Sequence, residues 1–417
     1  NTTAANNTGV GYNALGANTT ASNNTAVGYN ALTANTTGTS NVAVGKNALA
    51  TQTTADDNTA LGYYAGGTLT SSANTLIGYY AGVNVTTGGS NTIIGHQAGD
   101  AITTGEQNAI MGKGAGTTLT TSSYNAIFGT SAGDALTTGN SHTVFGHGAL
   151  SAATTVSNLT AIGFQALAAN TTGTANVAVG YQALNDNTTA SNNTAVGYLA
   201  LALNTTGAQN TAVGRFSLQA NTTASANTAF GNSALNANTT GANNTALGAN
   251  ALQDNTTATE NTAVGKASMQ NTTTGAYNTS VGSGSLHTNT TGGYNTAVGR
   301  DALVANTTAD DNTAVGYNAL TANTTGDNNV AVGKNAMYTN TVGDRNVAVG
   351  NLALYTYNPS SNEDSGNVAV GHASMYACTT GKENTAIGYN SLTTNTTASQ
   401  NTAVGYAALT ANTTGAS

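Results

Sequence analysis

The chain is predicted to be all-β, a parallel β-solenoid or β-roll of about 24 coils, and three observations predict it. A glycine returns every seventeen residues. Each copy holds one short alternating apolar segment bounded by turn residues. Bulky and small residues exchange places between neighbouring copies, as they must when the copies share one interior.

The glycine of the V-G dipeptide, as in Gly28, Gly45 and Gly180, and its equivalents occur 24 times. Successive copies are 17 residues apart, except for 16 between Gly62 and Gly78 and 21 between Gly350 and Gly371. Counted from the asparagine of N-T-A-V-G, the consensus is N-T-A-V-G-Y-N-A-L-x-A-N-T-T-G-x-x. Position 5 is glycine in all 24 copies, and position 1 is asparagine in 22, the exceptions being His142 and Leu159. Position 4 is always Val, Ile, Leu, Met or Phe.

A repeat this short excludes a helical pair, which needs about 30 residues and tolerates no glycine at every turn. Two short extended segments and two turns fit instead, with T-A-V-G-Y as one strand and N-T-T-G as turn residues. Coils stacked at about 4.8 Å would make a rod roughly 115 Å long. The expected organisation is a single continuous solenoid over residues 1–417, with variant coils at about 59–150 and an inserted loop at 355–366.

Asparagine at position 1 is predicted to form an amide ladder up the stack, each side chain bonding the next, through Asn24, Asn41, Asn58, Asn193 and Asn210. Glycine at position 5 supplies positive φ or a close approach of backbones.

Positions 3 and 9 test the stacking within the sequence. Leu32 at position 9 precedes Ala43 at position 3 of the next copy, and every other Leu or Met at position 9 likewise precedes Ala or Ser. One block reverses the order: Gly66, Gly82, Gly99, Gly116 and Gly133 precede Leu76, Ile93, Ile110, Ile127 and Val144. The same block replaces the position-12 asparagine by Leu69, Val85, Ile102, Leu119 and Leu136. Close-packed interiors penalise both voids and overfilling by roughly 1 to 5 kcal/mol for changes of this size. Positions 3, 9 and 12 are therefore expected to face one narrow core or a chain-to-chain interface.

Composition narrows the function classes. Only 24 residues are charged, 8 basic and 16 acidic, for a formal net charge of −8, and no basic tract marks nucleic acid or an anionic membrane. Cys378 is the single cysteine, so no disulfide forms within the chain. No run approaches the roughly 18 apolar residues of a membrane helix. Neither catalytic residues nor a cofactor are predicted, because no His and acid recur beside the abundant hydroxyls.

"SNVAVG" at 40–45 and "GNVAVG" at 366–371 resemble the N-S-V-A-I-G repeats of trimeric autotransporter adhesin heads. "NTAVGYNALTANTTG" at 312–326 is similar to the shafts of phage tail fibres and bacterial tail-fibre-like proteins. The resemblance implies a left-handed parallel β-roll assembled as a homotrimer. Its period of 17 is longer than that of the adhesin heads, and no membrane anchor or self-cleaving chaperone domain accompanies it. Both ends stop within a repeat pattern and read as the middle of a longer fibre.

Position 6 is predicted to be an exposed stripe of aromatic and basic groups: Tyr12, Tyr29, Lys46, His96, Lys113, His147, Tyr181, Arg215, Lys266, Arg300 and Tyr317. Such a stripe could bind surface glycans by stacking and hydrogen bonding, or serve solubility alone. Its histidines lie at least 51 residues apart and predict no metal site. The loop around Pro359, with Glu363 and Asp364, reads as a surface insertion or a projecting binding loop. The N-T-T asparagines, such as Asn35 and Asn170, match the N-glycosylation pattern, and the threonine rows raise an ice-binding alternative.

The sequence thus predicts an extracellular structural shaft, on a cell-surface appendage or a virion fibre, that partners itself and neither binds nucleic acid nor inserts into membranes. The alternatives are a monomeric solenoid stacked end to end into a filament, and a carbohydrate- or ice-binding solenoid.

Overall fold

A computed structural model describes residues 3–362 and 364–415. The chain is a parallel β-solenoid with a repeat of about 17 residues per coil and 24 strands of three residues each. No helix occurs among the described residues, so none is long and apolar enough to cross a membrane. The chain divides into two compact units, Asn1–Ala208 and Gln209–Ser417. The first holds β1 (Thr8–Val10) to β12 (Thr194–Val196), and the second holds β13 (Thr211–Val213) to β24 (Thr402–Val404).

Within each unit every strand pairs in parallel and in register with the strand one coil on. Ala26 lies opposite Ala43 in the first unit, and Ala229 lies opposite Ala246 in the second. The irregular spacings leave this register intact: Thr59 faces Thr75 and Val347 faces Val368. The lost and added residues are absorbed in the turns, because a one-residue slip would turn Ala60 or Ala348 outward.

The expected second extended segment is absent. Each coil has one strand, at positions 2 to 4, and the rest of the coil is turn. Positions 7, 9 and 17 hold left-handed backbone, in most coils without glycine, as Asn30 (φ 55°), Leu32 (φ 49°) and Ser40 (φ 58°) do. These bends curl the chain tightly enough to close a coil in seventeen residues. The backbone stays paired nevertheless: Asn30 N–H donates to Tyr12 O (2.9 Å), Leu32 N–H to Ala48 O (3.1 Å) and Thr36 N–H to Thr53 O (2.8 Å). Coil-to-coil pairing thus satisfies polar groups that a turn would otherwise leave buried and alone.

Position 5 needs glycine for both of the reasons anticipated. Gly28 has φ 139°, and a Cβ there would stand 2.5 Å from Gly45 O in the next coil. The main chains touch at this corner, and no side chain fits between them.

The core lies inside each coil. Positions 1, 3, 8, 9 and 12 are buried, as Asn24, Ala26, Ala31, Leu32 and Asn35 show. Positions 3, 9 and 12 therefore face an interior of the chain itself rather than an interface. In the variant block a Cβ on Gly99 would lie 2.9 Å from Ile102 Cδ1, 3.2 Å from Ile93 Cδ1 and 3.4 Å from Ile110 Cδ1. The volume that a position-9 glycine leaves is filled first by positions 12 and 3 of its own coil, as by Ile102 and Ile93 at Gly99 and by Leu136 and Ile127 at Gly133, and at Gly99 also by Ile110 of the next coil. It also relieves strain, since glycine adopts the left-handed conformation at position 9 (Gly99, φ 51°) without the roughly 1 to 2 kcal/mol that an L side chain carries there.

The loop at 355–366 starts in the core. Tyr357 takes position 12 and is fully buried, and a Cβ on Gly343 would meet its Cε1 at 2.7 Å and Pro359 Cγ at 3.0 Å. Asn358 and Ser360 to Asn362 are exposed, and Asp364 bridges to Asp344 and pairs with Arg345. Both partners of that ion pair are more than 60% exposed, so it contributes at most about 1 kcal/mol. Glu363 lies outside the described residues.

Gly99→Leu is expected to overfill this site and destabilise the first unit by about 1–3 kcal/mol. Adding Ile110→Ala should recover at least half of the loss, because the two positions share one volume. Denaturant unfolding of both variants checks this, and additive losses would show that the positions do not meet.

Candidate functional site

Two features repeat along each unit: a buried polar seam and an exposed column. The seam begins with asparagine at position 1. Asn24, Asn41, Asn58, Asn193 and Asn210 are all fully buried. Asn41 N–H donates to Asn24 Oδ1 at 2.9 Å, and Asn58 N–H donates to Asn41 Oδ1 at 2.9 Å. In the second unit Asn227 N–H donates to Asn210 Oδ1 at 3.0 Å. The predicted amide ladder is present, with Asn41 Nδ2 donating to Asn24 Oδ1 at 3.1 Å, and the main-chain N–H donates to the same oxygen. Nδ2 also donates to the position-15 carbonyl of its own coil, from Asn41 to Ala55 O (2.9 Å), from Asn193 to Gly207 O (2.9 Å) and from Asn210 to Ala224 O (2.8 Å).

A second seam runs at position 12. Asn187 Nδ2 donates to Asn170 Oδ1 (2.8 Å) and Asn204 Nδ2 to Asn187 Oδ1 (2.9 Å), while Asn35 Nδ2 also holds Gly38 O (2.9 Å). These are the asparagines of the N-T-T motifs. Being buried with their amides engaged, they form an inward ladder and offer no acceptor nitrogen for a glycan in the folded coil. The first threonine of the motif is also committed, since Thr36 Oγ1 donates to Thr53 O at 3.1 Å. Cys378 replaces asparagine in this seam and is fully buried, and burial pushes its thiol up to about 11, so it is neither ionised nor nucleophilic near neutrality.

The exposed column is position 6. Tyr12, Tyr29, Lys46, His96, Lys113, His147, Tyr181, Arg215, Lys266, Arg300 and Tyr317 all stand on the surface. Coil spacing brings their neighbours into face-to-face stacks: Tyr12 on Tyr29 (5.0 Å between ring centres), Tyr79 on His96 (5.0 Å), His147 on Phe164 (5.6 Å) and Tyr181 on Tyr198 (5.1 Å). Lys46 Nζ lies 5.8 Å from the Tyr29 ring centre and 5.7 Å from that of Tyr63, and the Arg300 guanidinium lies 5.8 Å from that of Tyr317. Because the rings are nearly parallel, their faces are spent on one another. An approaching sugar meets ring edges and hydroxyls, whereas stacking recognition needs open faces.

Sequence reasoning missed a third feature, the outward face of the strands. Positions 2 and 4 of all 24 copies contain no charged residue, and Val10, Leu61, Met111, Phe230, Leu247 and Val404 are exposed there. The signal was present in the constant apolar position 4, whose outward direction follows once position 3 is inward.

Among the described residues there is no pocket and no group of three or more His, Cys, Asp or Glu side chains placed to hold a metal ion. No protein-family model matches the chain, and no curated protein matches it.

His142 marks a break in the first seam. It takes the position-1 place with 1% exposure, and its N–H still donates to Asn125 Oδ1 at 3.0 Å. Its imidazole lacks the asparagine side chain's strong partners, and the next coil carries Leu159. Burial lowers its pKa from 6.5 to about 4, only partly offset by the Val156 carbonyl. The folded state therefore holds the neutral ring. The associated stability is fully present above about pH 6.5 and is lost as pH falls toward 4, a loss of roughly 3 kcal/mol for this shift. His142→Asn should flatten the dependence in that window, as read by urea unfolding of the first unit at pH 7 and pH 4. An equal acid loss in both proteins would show that other groups carry it.

Proposed function

We propose that this chain is a structural shaft of an extracellular fibre or filament, on a cell-surface appendage or a phage tail fibre, holding a tip away from an anchor by stacking identical coils. The resemblance of its repeats to tail-fibre shafts and trimeric adhesin heads supports this reading, and so does a fold in which every coil is built to carry the next.

The observation that carries it is the uncharged outward strand face. Every one of the 24 charged side chains lies elsewhere in the repeat, while Phe230 is 52% exposed and Leu247 47% exposed on that face. Twelve strands at about 4.8 Å spacing and about 10 Å width present roughly 600 Å² per unit, near the ~800 Å² per partner of a stable interface. On that face the apolar column at position 4 runs beside a column at position 2 that is mostly threonine, and an uncharged strip with continuous exposed apolar side chains favours covering. A second copy of the chain covers it best, because only another coil stack offers side chains at the same spacing over twelve steps. Three such faces meeting about a common axis give a homotrimer.

A monomeric solenoid stacked end to end is the competing arrangement. Val179→Lys with Val196→Lys places two charges on the face and is expected to convert an oligomer to a monomer, measured by light scattering on a size-exclusion column. Ala249→Lys at position 6 serves as the control and should leave assembly unchanged. A wild-type protein that is monomeric at all concentrations would contradict the trimer, and open-ended growth that the two lysines leave unchanged would contradict it in favour of the end-to-end filament.

A further inference from the structure

The tyrosines are not scattered. Fifteen of the 18 have a ring centre within 5.6 Å of another tyrosine ring, each such group including rings from adjacent coils. Pairing holds even at positions where tyrosine is rare. Position 7 has it only at Tyr64 and Tyr80, in successive coils, and position 10 only at Tyr338, Tyr355 and Tyr376, again in succession. Tyr124, Tyr317 and the buried Tyr357 are not among these fifteen.

The densest group is Tyr63, Tyr64, Tyr79 and Tyr80, where positions 6 and 7 of two coils are all tyrosine. Ring centres are 5.3 Å apart for Tyr63 and Tyr79, 5.5 Å for Tyr64 and Tyr80, and 4.5 Å for Tyr79 and Tyr80. Tyr79 is 46% exposed, so an oxidant reaches the patch from solvent.

We propose that this patch is a site of oxidative tyrosine coupling, which joins one coil covalently to the next in a chain that has no disulfide. The co-reactants are a haem peroxidase and hydrogen peroxide. One hydrogen atom leaves each of two phenols, and the two phenoxyl radicals join through ring carbons ortho to the oxygens. The hydrogens on those carbons return to the oxygens as the rings regain aromaticity. The two protons and two electrons removed reduce one hydrogen peroxide to two waters. Main-chain register already holds the rings side by side, so coupling within the chain competes with little loss of freedom. The inference is independent of the shaft reading, since it needs only two adjacent coils.

The test treats dilute full-length protein with peroxidase and hydrogen peroxide, then maps peptides by mass spectrometry and follows dityrosine fluorescence. The expected product joins Tyr63 or Tyr64 to Tyr79 or Tyr80 within one chain, with a yield about tenfold above that of the urea-unfolded chain, as proximity requires. Tyr124 and Tyr317 should give no such product. The variant Tyr63→Phe, Tyr64→Phe, Tyr79→Phe, Tyr80→Phe keeps the stacked rings and so the fold, and should lose this product alone. Equal yields from folded and unfolded chain, coupling of Tyr124 as readily as of Tyr79, or no product where free tyrosine dimerises in the same tube would each overturn the proposal.

Discussion

Nearly every coil is tied to its neighbour by a buried hydrogen bond at position 1 that leaves the coil's plane. The main-chain N–H of a position-1 asparagine lies just before the strand and donates to a side chain rather than to a main-chain carbonyl. Oδ1 of the asparagine one coil back accepts it, as Asn24 does for Asn41. A buried N–H left without that acceptor would cost about 1–3 kcal/mol. Repetition makes the requirement strict, because each asparagine is at once the acceptor for one neighbour and the donor to another. The same side chain, through Nδ2, ties the strand to the far corner of its own coil. One residue type thereby sets both the stacking and the width of the coil.

Backbone strain is the counterweight. A seventeen-residue coil with one three-residue strand must turn sharply, and it does so with left-handed residues at three places, including a leucine that also fills the core, such as Leu32. Holding Leu32 there is unfavourable locally, but its side chain is fully buried in the core. Where glycine takes the place, as at Gly99, strain falls and volume is lost, and Ile93, Ile102 and Ile110 restore it. The two kinds of coil are alternative solutions of one packing problem, and each is stable only beside a coil that matches it.

Much of this could be read in the residues beforehand. The period, the inward positions 3, 9 and 12, the glycine corner and the surface position of the tyrosine and lysine column all follow from periodicity and volume. The left-handed residues did not, because leucine at position 9 reads as an ordinary core residue and its backbone conformation leaves no compositional mark. Position 8 was also overlooked, although Ala or Ser in every copy is the sign of a tight buried site. The column at position 6 was located correctly, but its chemistry was not legible. Whether tyrosines offer faces or edges depends on ring orientation, which the coil spacing sets and the sequence does not display.

The same regularity links structure to role. A surface that repeats at every coil brings like side chains together in rows, and the proposed shaft role draws on that repetition for lateral packing. Places where the regularity fails, at His142, Leu159 and Tyr357, are the points where one unit can be weakened without changing the rest. The central claim is that the asparagine seam, and not the short strand alone, holds coil to coil. Amide hydrogen exchange tests it most directly by comparing Asn41 N–H, accepted by Asn24 Oδ1, with Gly45 N–H, accepted by Val27 O. The account predicts equal slow exchange at both in the native protein and fast exchange at Asn41 after Asn24→Ala, whereas rapid exchange at Asn41 in the native protein beside a protected Gly45 would contradict it.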